Sequence, residues 1–146
     1  MTVLIRPMTV RDFGAVYELG VRCYKVTDKP YNYWSIREVA DHLQGAPQFC
    51  AVADDAGKIV GFALGTDSFE LIADTAHLEW VAVAPEYRRQ GLGSRLLNQL
   101  VDKARELGCV SVVADIASEN ADSRAMAQKL GFAEGISVTY FMKQLS

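Results

Sequence analysis

The sequence predicts an α/β (α+β) chain with a mixed central sheet flanked by helices, and three observations lead there. An opening strand is followed by two stretches with apolar residues at helical spacing; a group of short β-rich runs comes next, two of them joined by a turn signature; two further helices then alternate with strands. At 146 residues the chain fits one domain, residues 1–146, large enough to bury a real core.

"VLIRP" reads as the first strand. In "TVRDFGAVYELGVRCY", Thr9 is the N-cap with Asp12 three residues on, and Phe13, Val16, Tyr17 and Val21 share one helical face. A Pro- and Asn-containing loop, "KVTDKPYNYW", separates this helix from "SIREVADHLQG". There Ser35 and Glu38 form a capping box, Ile36, Val39, Ala40 and Leu43 are the apolar positions, and Gly45 ends the helix. "FCAVADDAGKIVGFALGTDSF" holds two β-rich runs around Asp54, Asp55, Ala56 and Gly57, a hairpin signature. "HLEWVAVAP" is a strand stopped by Pro85. A helix bearing Leu92, Leu96, Leu97, Leu100 and Val101 on one face then runs to Gly108, and "CVSVVADIA" is the next strand. "SENADSRAMAQKLGF" reads as a helix capped by Asn120 and closed at Gly131, and "ISVTYFMKQL" as a final strand, with room for another near Phe132.

The net charge of −3 argues against nucleic acid as a partner, which calls for a broad basic excess. No apolar run reaches the roughly 18 residues that span a bilayer, and "MTVLIRPMTV" turns polar before a signal-peptide core could form, so neither a membrane partner nor secretion is expected and the reading is cytoplasmic. Cys23, Cys50 and Cys109 are an odd set without CxxC or nearby His at ligand spacing. They predict buried thiols in a reducing compartment, with no metal site. His42, near a helix C-terminus, and His77, at a strand start, read as structural or exposed residues.

The chemistry concentrates in "EYRRQGLGSRLL". GxxxxGK[ST] is absent, and GxGxxG fails because its third glycine position is Leu96. Gly91 and Gly93 either end a loop and allow tight packing, or let an anion approach the backbone. The flanks favour the anion. Unsatisfied N–H groups and the dipole at the helix N-terminus make a cup of residues 89–94, with Arg88, Arg89 and Arg95 adding charge around it, and a pyrophosphate fits the description.

Arg88-Arg89-Gln90-Gly91-Leu92-Gly93 matches [Q/R]-x-x-G-x-[G/A], "LEWVAVAPEYRRQGLG" extends the match upstream, and "SENADSRAMAQKLGF" carries N-x(10)-GF. With the opening "IRPMTVRDF", these segments resemble the GNAT (GCN5-related) N-acetyltransferases along nearly the whole chain. The resemblance implies a mostly antiparallel sheet in the acyl-CoA N-acyltransferase fold, acetyl-CoA as co-substrate and direct transfer in a ternary complex. Residue by residue, it implies that Arg88, Arg89, Gln90, Gly91, Leu92, Gly93 and Ser94 hold the pyrophosphate. It further implies that the backbone of Val81, Ala82 and Val83 pairs with the pantetheine arm and polarises the thioester carbonyl, and that Asn120 contacts the pantetheine region. As a residue, Asn120 is equally a plain helix N-cap.

Transfer to an amine needs a base, because a lysine-type amine with a pKa near 10.4 is protonated at neutral pH. Two acids are placed for it. Glu79 lies among apolar neighbours in the implied cofactor strand and is the first choice. Asp115, in "VVADIA", is similar in position to the acid of the branch that acetylates ribosomal-protein alanine. Either could instead sit at a solvent-facing strand end. The sequence departs from the family at Ala127, where most members have the tyrosine that protonates the leaving thiolate; Tyr140, Tyr31, Tyr33 or solvent are the substitutes. Tyr24, Tyr31, Tyr33 and Trp34 either enclose an acceptor or pack. The expected acceptor is a small-molecule amine or a peptide N-terminus. A non-catalytic acyl-CoA-binding module is the competing reading, and the chain acts as a monomer or a homodimer.

Overall fold

A computed structural model describes residues 2–24, 33–70 and 72–145. It divides the chain into two compact units, Met1–Asp115 and Ile116–Ser146. In the first unit the elements run β1 (Val3–Pro7), α1 (Phe13–Cys23), α2 (Ile36–Gly45), β2 (Cys50–Asp55), β3 (Lys58–Thr66), β4 (Thr75–Val83), α3 (Leu92–Glu106) and β5 (Ser111–Ala114); α4 (Ala121–Lys129) belongs to the second. The sheet order is β1-β2-β3-β4-β5, antiparallel throughout except for the parallel β4–β5 pair. The expected mixed, mostly antiparallel sheet is therefore present.

Local chemistry accounts for the boundaries. A single 3-10 turn, Val10–Asp12, leads into α1, where the Asp12 carboxylate accepts from Thr9 N–H at 2.8 Å and from both terminal nitrogens of Arg6. The Arg6 hydrogen bonds hold Asp12 below the usual carboxylate range against the opposing effect of burial. The β2–β3 hairpin turns through Ala56 and Gly57, both at positive φ, as a two-residue primed turn requires. Leu92, Leu96, Leu97, Leu100 and Ala104 form the buried face of α3.

The two sheet faces can be read from consecutive residues of β3, because side chains alternate across a strand. Gly61 lies under Leu96 of α3, where an added Cβ would sit 3.0 Å from Leu96 Cδ1. Phe62 points the other way, stacked on Trp34 at 5.2 Å and edge-on to Tyr24, just beyond α1. Trp34 is buried and donates its indole N–H to Tyr17 O, so this part of the aromatic loop is packing.

Three expectations need correction. Residues 136–145 form no strand among the described residues, and Ile136, Val138, Tyr140 and Met142 are exposed; their alternation has the strand period, but a strand also needs a ladder partner. The Ser35 capping box is half made: Ser35 Oγ accepts from Glu38 N–H, while the Glu38 side chain turns to His42 and Trp80. Of the three cysteines only Cys50 is fully buried, which pushes its thiol up to about 12.

Candidate functional site

The site begins with a register shift. Leu64 pairs with Trp80 but Gly65 pairs with Leu78, so Glu79 is an extra residue on β4, a β-bulge with nothing opposite it. A bulge disrupts the ladder locally and re-aims the side chain it carries. Here it frees the Gly65 carbonyl, which faces His42 Nδ1 at 3.0 Å, and turns Glu79 toward α2. Only a glycine fits at 65, because a Cβ would lie 2.5 Å from the His77 carbonyl oxygen.

Around Glu79 the structure assembles residues distant in sequence. His42 Nε2 lies 3.2 Å from Glu38 Oε1 and 3.6 Å from Glu79 Oε1; His77 Nδ1 is also 3.6 Å from Glu79 Oε1, and His77 Nε2 is 2.6 Å from Asp115 Oδ1. Trp80 donates its indole N–H to Glu38 Oε1 at 2.9 Å. Burial alone would lower His42, but the hydrogen bonds to Glu38 and Gly65 O and the ion pair with Glu79 outweigh it and raise the imidazole to about 10. Burial likewise opposes ionisation of Glu38, yet the bonds from His42 and Trp80 leave it below its ordinary value. The His77 hydrogen bond depresses Asp115 against burial.

The two acids singled out from sequence thus belong to one chain of contacts but differ in setting. The Glu79 side chain is 17% exposed and borders a cavity of about 490 Å³; that of Asp115 is 61% exposed and paired with His77. The cavity is lined by Glu38, Asp41, Asp67 and Glu79, with His42 as the one basic residue among the described ones and Tyr33 on its wall. Tyr33 packs edge-on to Trp80 at 5.1 Å, whereas Tyr31 lies outside the described residues. Glu38, His42 and Glu79 bring one donor atom each within 4.8 Å, a spacing that a metal could use, but the imidazole set between two carboxylates has the arrangement of a cation with its counter-ions.

Beyond the bulge, β4 parts from β5. The parallel ladder covers only Thr75–Leu78 against Ser111–Ala114, and Glu79–Val83 has no strand partner on that side among the described residues. The Val81 carbonyl accepts from Tyr24 Oη at 2.8 Å, and the Val83 carbonyl from Arg88 Nε at 3.1 Å. A 3-10 turn, Pro85–Tyr87, then leads to the glycine stretch. Arg89 stands at φ 65° and Gly91 at φ 77°, so the turn takes two left-handed residues before α3 begins at Leu92; Gly93 and Ser94 lie in its first turn. Arg89 is a non-glycine residue in a conformation costing on the order of 1 kcal/mol, the kind of strain that gathers at binding sites. Gln90 completes the turn. Arg95 is not part of the expected cationic rim: its guanidinium donates to Val3 O. In the second unit Asn120 caps α4 by accepting from Ser123 N–H at 3.1 Å, and Ala127 is buried in the same helix.

Sequence reasoning set His42 aside. The signal that could have found it is Glu38 and His42 at i and i+4 on one helix face, together with Gly65 inside a strand, a mark of a bulge.

The sheet parts after its fourth strand, a strained glycine turn stands at a helix N-terminus where an anion can be held, and a half-buried acid lies at the split. The model of the Acetyltransferase (GNAT) family matches residues 13–132, and the chain belongs to that family. It is 41% identical over 70 residues to aminoglycoside N(6')-acetyltransferase type 1 of Acinetobacter genomosp. 13, a match covering 48% of each chain, so about half of that relative's length is spanned. It is 29% identical over 130 residues to the [ribosomal protein bS18]-alanine N-acetyltransferase of Escherichia coli, covering 89% of this chain and 80% of that one. The crystal structure of the ribosomal-protein-S18-alanine N-acetyltransferase from Escherichia coli superposes with a TM-score of 0.77 at 28% identity, over 92% of this chain and 80% of the other. Among the described residues, no helix is long and apolar enough to cross a membrane.

Proposed function

We propose that the chain moves the acetyl group of acetyl-CoA to a primary amine of a small, multiply cationic acceptor, with Glu79 as the base. The observation that carries this reading is the position of Glu79: a bulged residue bordering the acidic cavity on one side and the unpaired stretch of β4 on the other. In the proposed ternary complex the pyrophosphate sits on the Arg88–Ser94 turn, and the pantetheine arm runs along Val81, Ala82 and Val83 as an added strand. N–H groups on this edge polarise the thioester oxygen. Asn120 contributes to the pantetheine contact while capping its helix.

The protonated amine enters a cavity whose four carboxylates attract cations. Glu79 takes one proton, the amine nitrogen attacks the carbonyl carbon, and the tetrahedral intermediate collapses with cleavage of the C–S bond. The nitrogen, which carries an extra proton after attack, releases it as the C–S bond breaks, and the CoA thiolate takes that proton directly or through solvent, since the Ala127 side chain has none to give. Support for a small polycation comes from the acidic lining and from the aminoglycoside-acetylating relatives. A peptide N-terminus is the second reading, favoured by the longer match to the alanine N-acetyltransferase. Incubation with acetyl-CoA and a panel of aminoglycosides, polyamines and alanine-terminated peptides, with free thiol followed over time, separates the two. Turnover confined to the peptides would defeat the polycation reading.

A further inference from the structure

We infer that His42 is an imidazolium at neutral pH, whose Nδ1–H ties α2 to the β-bulge and whose charge at Nε2 holds the Glu79 carboxylate in position for proton removal. The inference deepens the proposed function and rests, for its catalytic half, on Glu79 being the base.

Proton counting carries it. Gly65 O can only accept, so His42 Nδ1, 3.0 Å away, must bear a hydrogen. A neutral imidazole would then present a bare lone pair at Nε2. That nitrogen instead faces Glu38 Oε1 at 3.2 Å and Glu79 Oε1 at 3.6 Å. Glu38 Oε1 also accepts from the Trp80 indole, so it acts as an acceptor oxygen on both sides. Three electron-rich atoms converging without a hydrogen between them would be repulsive in a site where His42 is only 4% exposed. A hydrogen on Nε2 turns the repulsion into a hydrogen bond and an ion pair. The direction of the imidazole's titration agrees with this geometry.

Among the described residues, the other charged groups that line the cavity are all carboxylates. α2 contributes Glu38 and, on the cavity wall, Asp41; β4 contributes Glu79, with His77 on its far side; the segment after β3 contributes Asp67; β3 itself contributes the Gly65 carbonyl. Among the described residues, no Lys or Arg lines the cavity. His42 is the one base among the described lining residues, and its charge offsets part of the repulsion among four carboxylates. Its contact with Glu79 and that of His77 both reach Oε1 at 3.6 Å. His42 is thus a positioning residue: it acts through Glu79.

The direct test is nitrogen NMR of the full-length, 15N-labelled protein at pH 8, with His42→Gln used for assignment. Both ring nitrogens of His42 are expected to carry hydrogens, a readout that requires no catalysis. A bare Nε2, or His42 lines that move on addition of one equivalent of zinc, would overturn the inference. Kinetics supplies the second arm. With saturating acetyl-CoA and a turned-over amine, His42→Gln should move the acidic limb of kcat/KM upward by about one pH unit or more, a loss of about tenfold on the acidic side of the profile that is recovered on its alkaline side. An equal loss at every pH would contradict positioning through Glu79. If Glu79→Gln retains full turnover, the base assignment falls, while the NMR result still decides the charge of His42.

Discussion

Replacing Gly91 with alanine separates what the glycine turn does for the fold from what it does for the ligand. Gly91 stands at φ 77°, and an added Cβ meets nothing within 4 Å. The substitution therefore introduces no clash, and its cost to the free protein is conformational, about 1 kcal/mol for an L-residue held in the left-handed region. For a domain of this size that lowers Tm by roughly 2–4 °C. Acetyl-CoA changes the comparison. At a ligand concentration of about 100 Kd the native protein gains about 2.7 kcal/mol. If the methyl group occupies space that phosphate oxygens use and weakens binding tenfold, the variant gains only about 1.4 kcal/mol under the same conditions. The stability gap then widens from about 1 to about 2.3 kcal/mol on adding acetyl-CoA. Thermal unfolding with and without ligand reads this gap, and calorimetry reads the affinity directly. A gap that stays constant would show that the cofactor does not use the turn at Gly91, and a ligand-free loss well above 3 kcal/mol would show that the Cβ is not in open space.

Gly20→Ala should destabilise through the opposite mechanism, because the new Cβ would lie 2.1 Å from Trp34 Cε2 in a packed interior; a loss of about 1–3 kcal/mol is expected, and an unchanged Tm would mean that Trp34 is not seated over α1. Stability should also fall with rising pH on the alkaline side of neutrality. The folded value of His42 is raised to about 10 above an unfolded value near 6.5, so its contribution is complete below about pH 6.5 and is lost as pH climbs through 10. Urea midpoints measured from pH 7 to 10 should show this decline in the native protein and a shallower one in His42→Gln; parallel slopes would remove His42 as the cause.

The elements were legible where local chemistry sets them. The apolar face of α3, the Asp54–Gly57 hairpin and the caps at Thr9 and Asn120 each depend on residues within one or two turns of each other. The segment 136–145 failed for the complementary reason: its alternation is a local property, whereas strand formation depends on a partner that pattern alone does not supply. Within the site, the glycine turn and Glu79 were visible as motif and position, although Arg95 turns away to Val3 O, a contact 92 residues distant. His42 was hidden because its meaning comes from a carbonyl 23 residues on and an acid on a bulged strand. Glu38 was misassigned within the capping box because its backbone N–H is capped by Ser35 while its carboxylate turns to His42.

The central claim is that Glu79 removes the proton from the acceptor amine, and the most direct measurement compares kcat/KM for Glu79→Gln and Asp115→Asn with the native enzyme across pH 6–9, acetyl-CoA saturating. Glu79→Gln should lose about 10²- to 10⁴-fold near neutrality with its acidic limb flattened, while Asp115→Asn, largely exposed and paired with His77, should stay within about tenfold and keep the native profile. Full turnover in Glu79→Gln, or the large loss appearing in Asp115→Asn instead, would contradict the account.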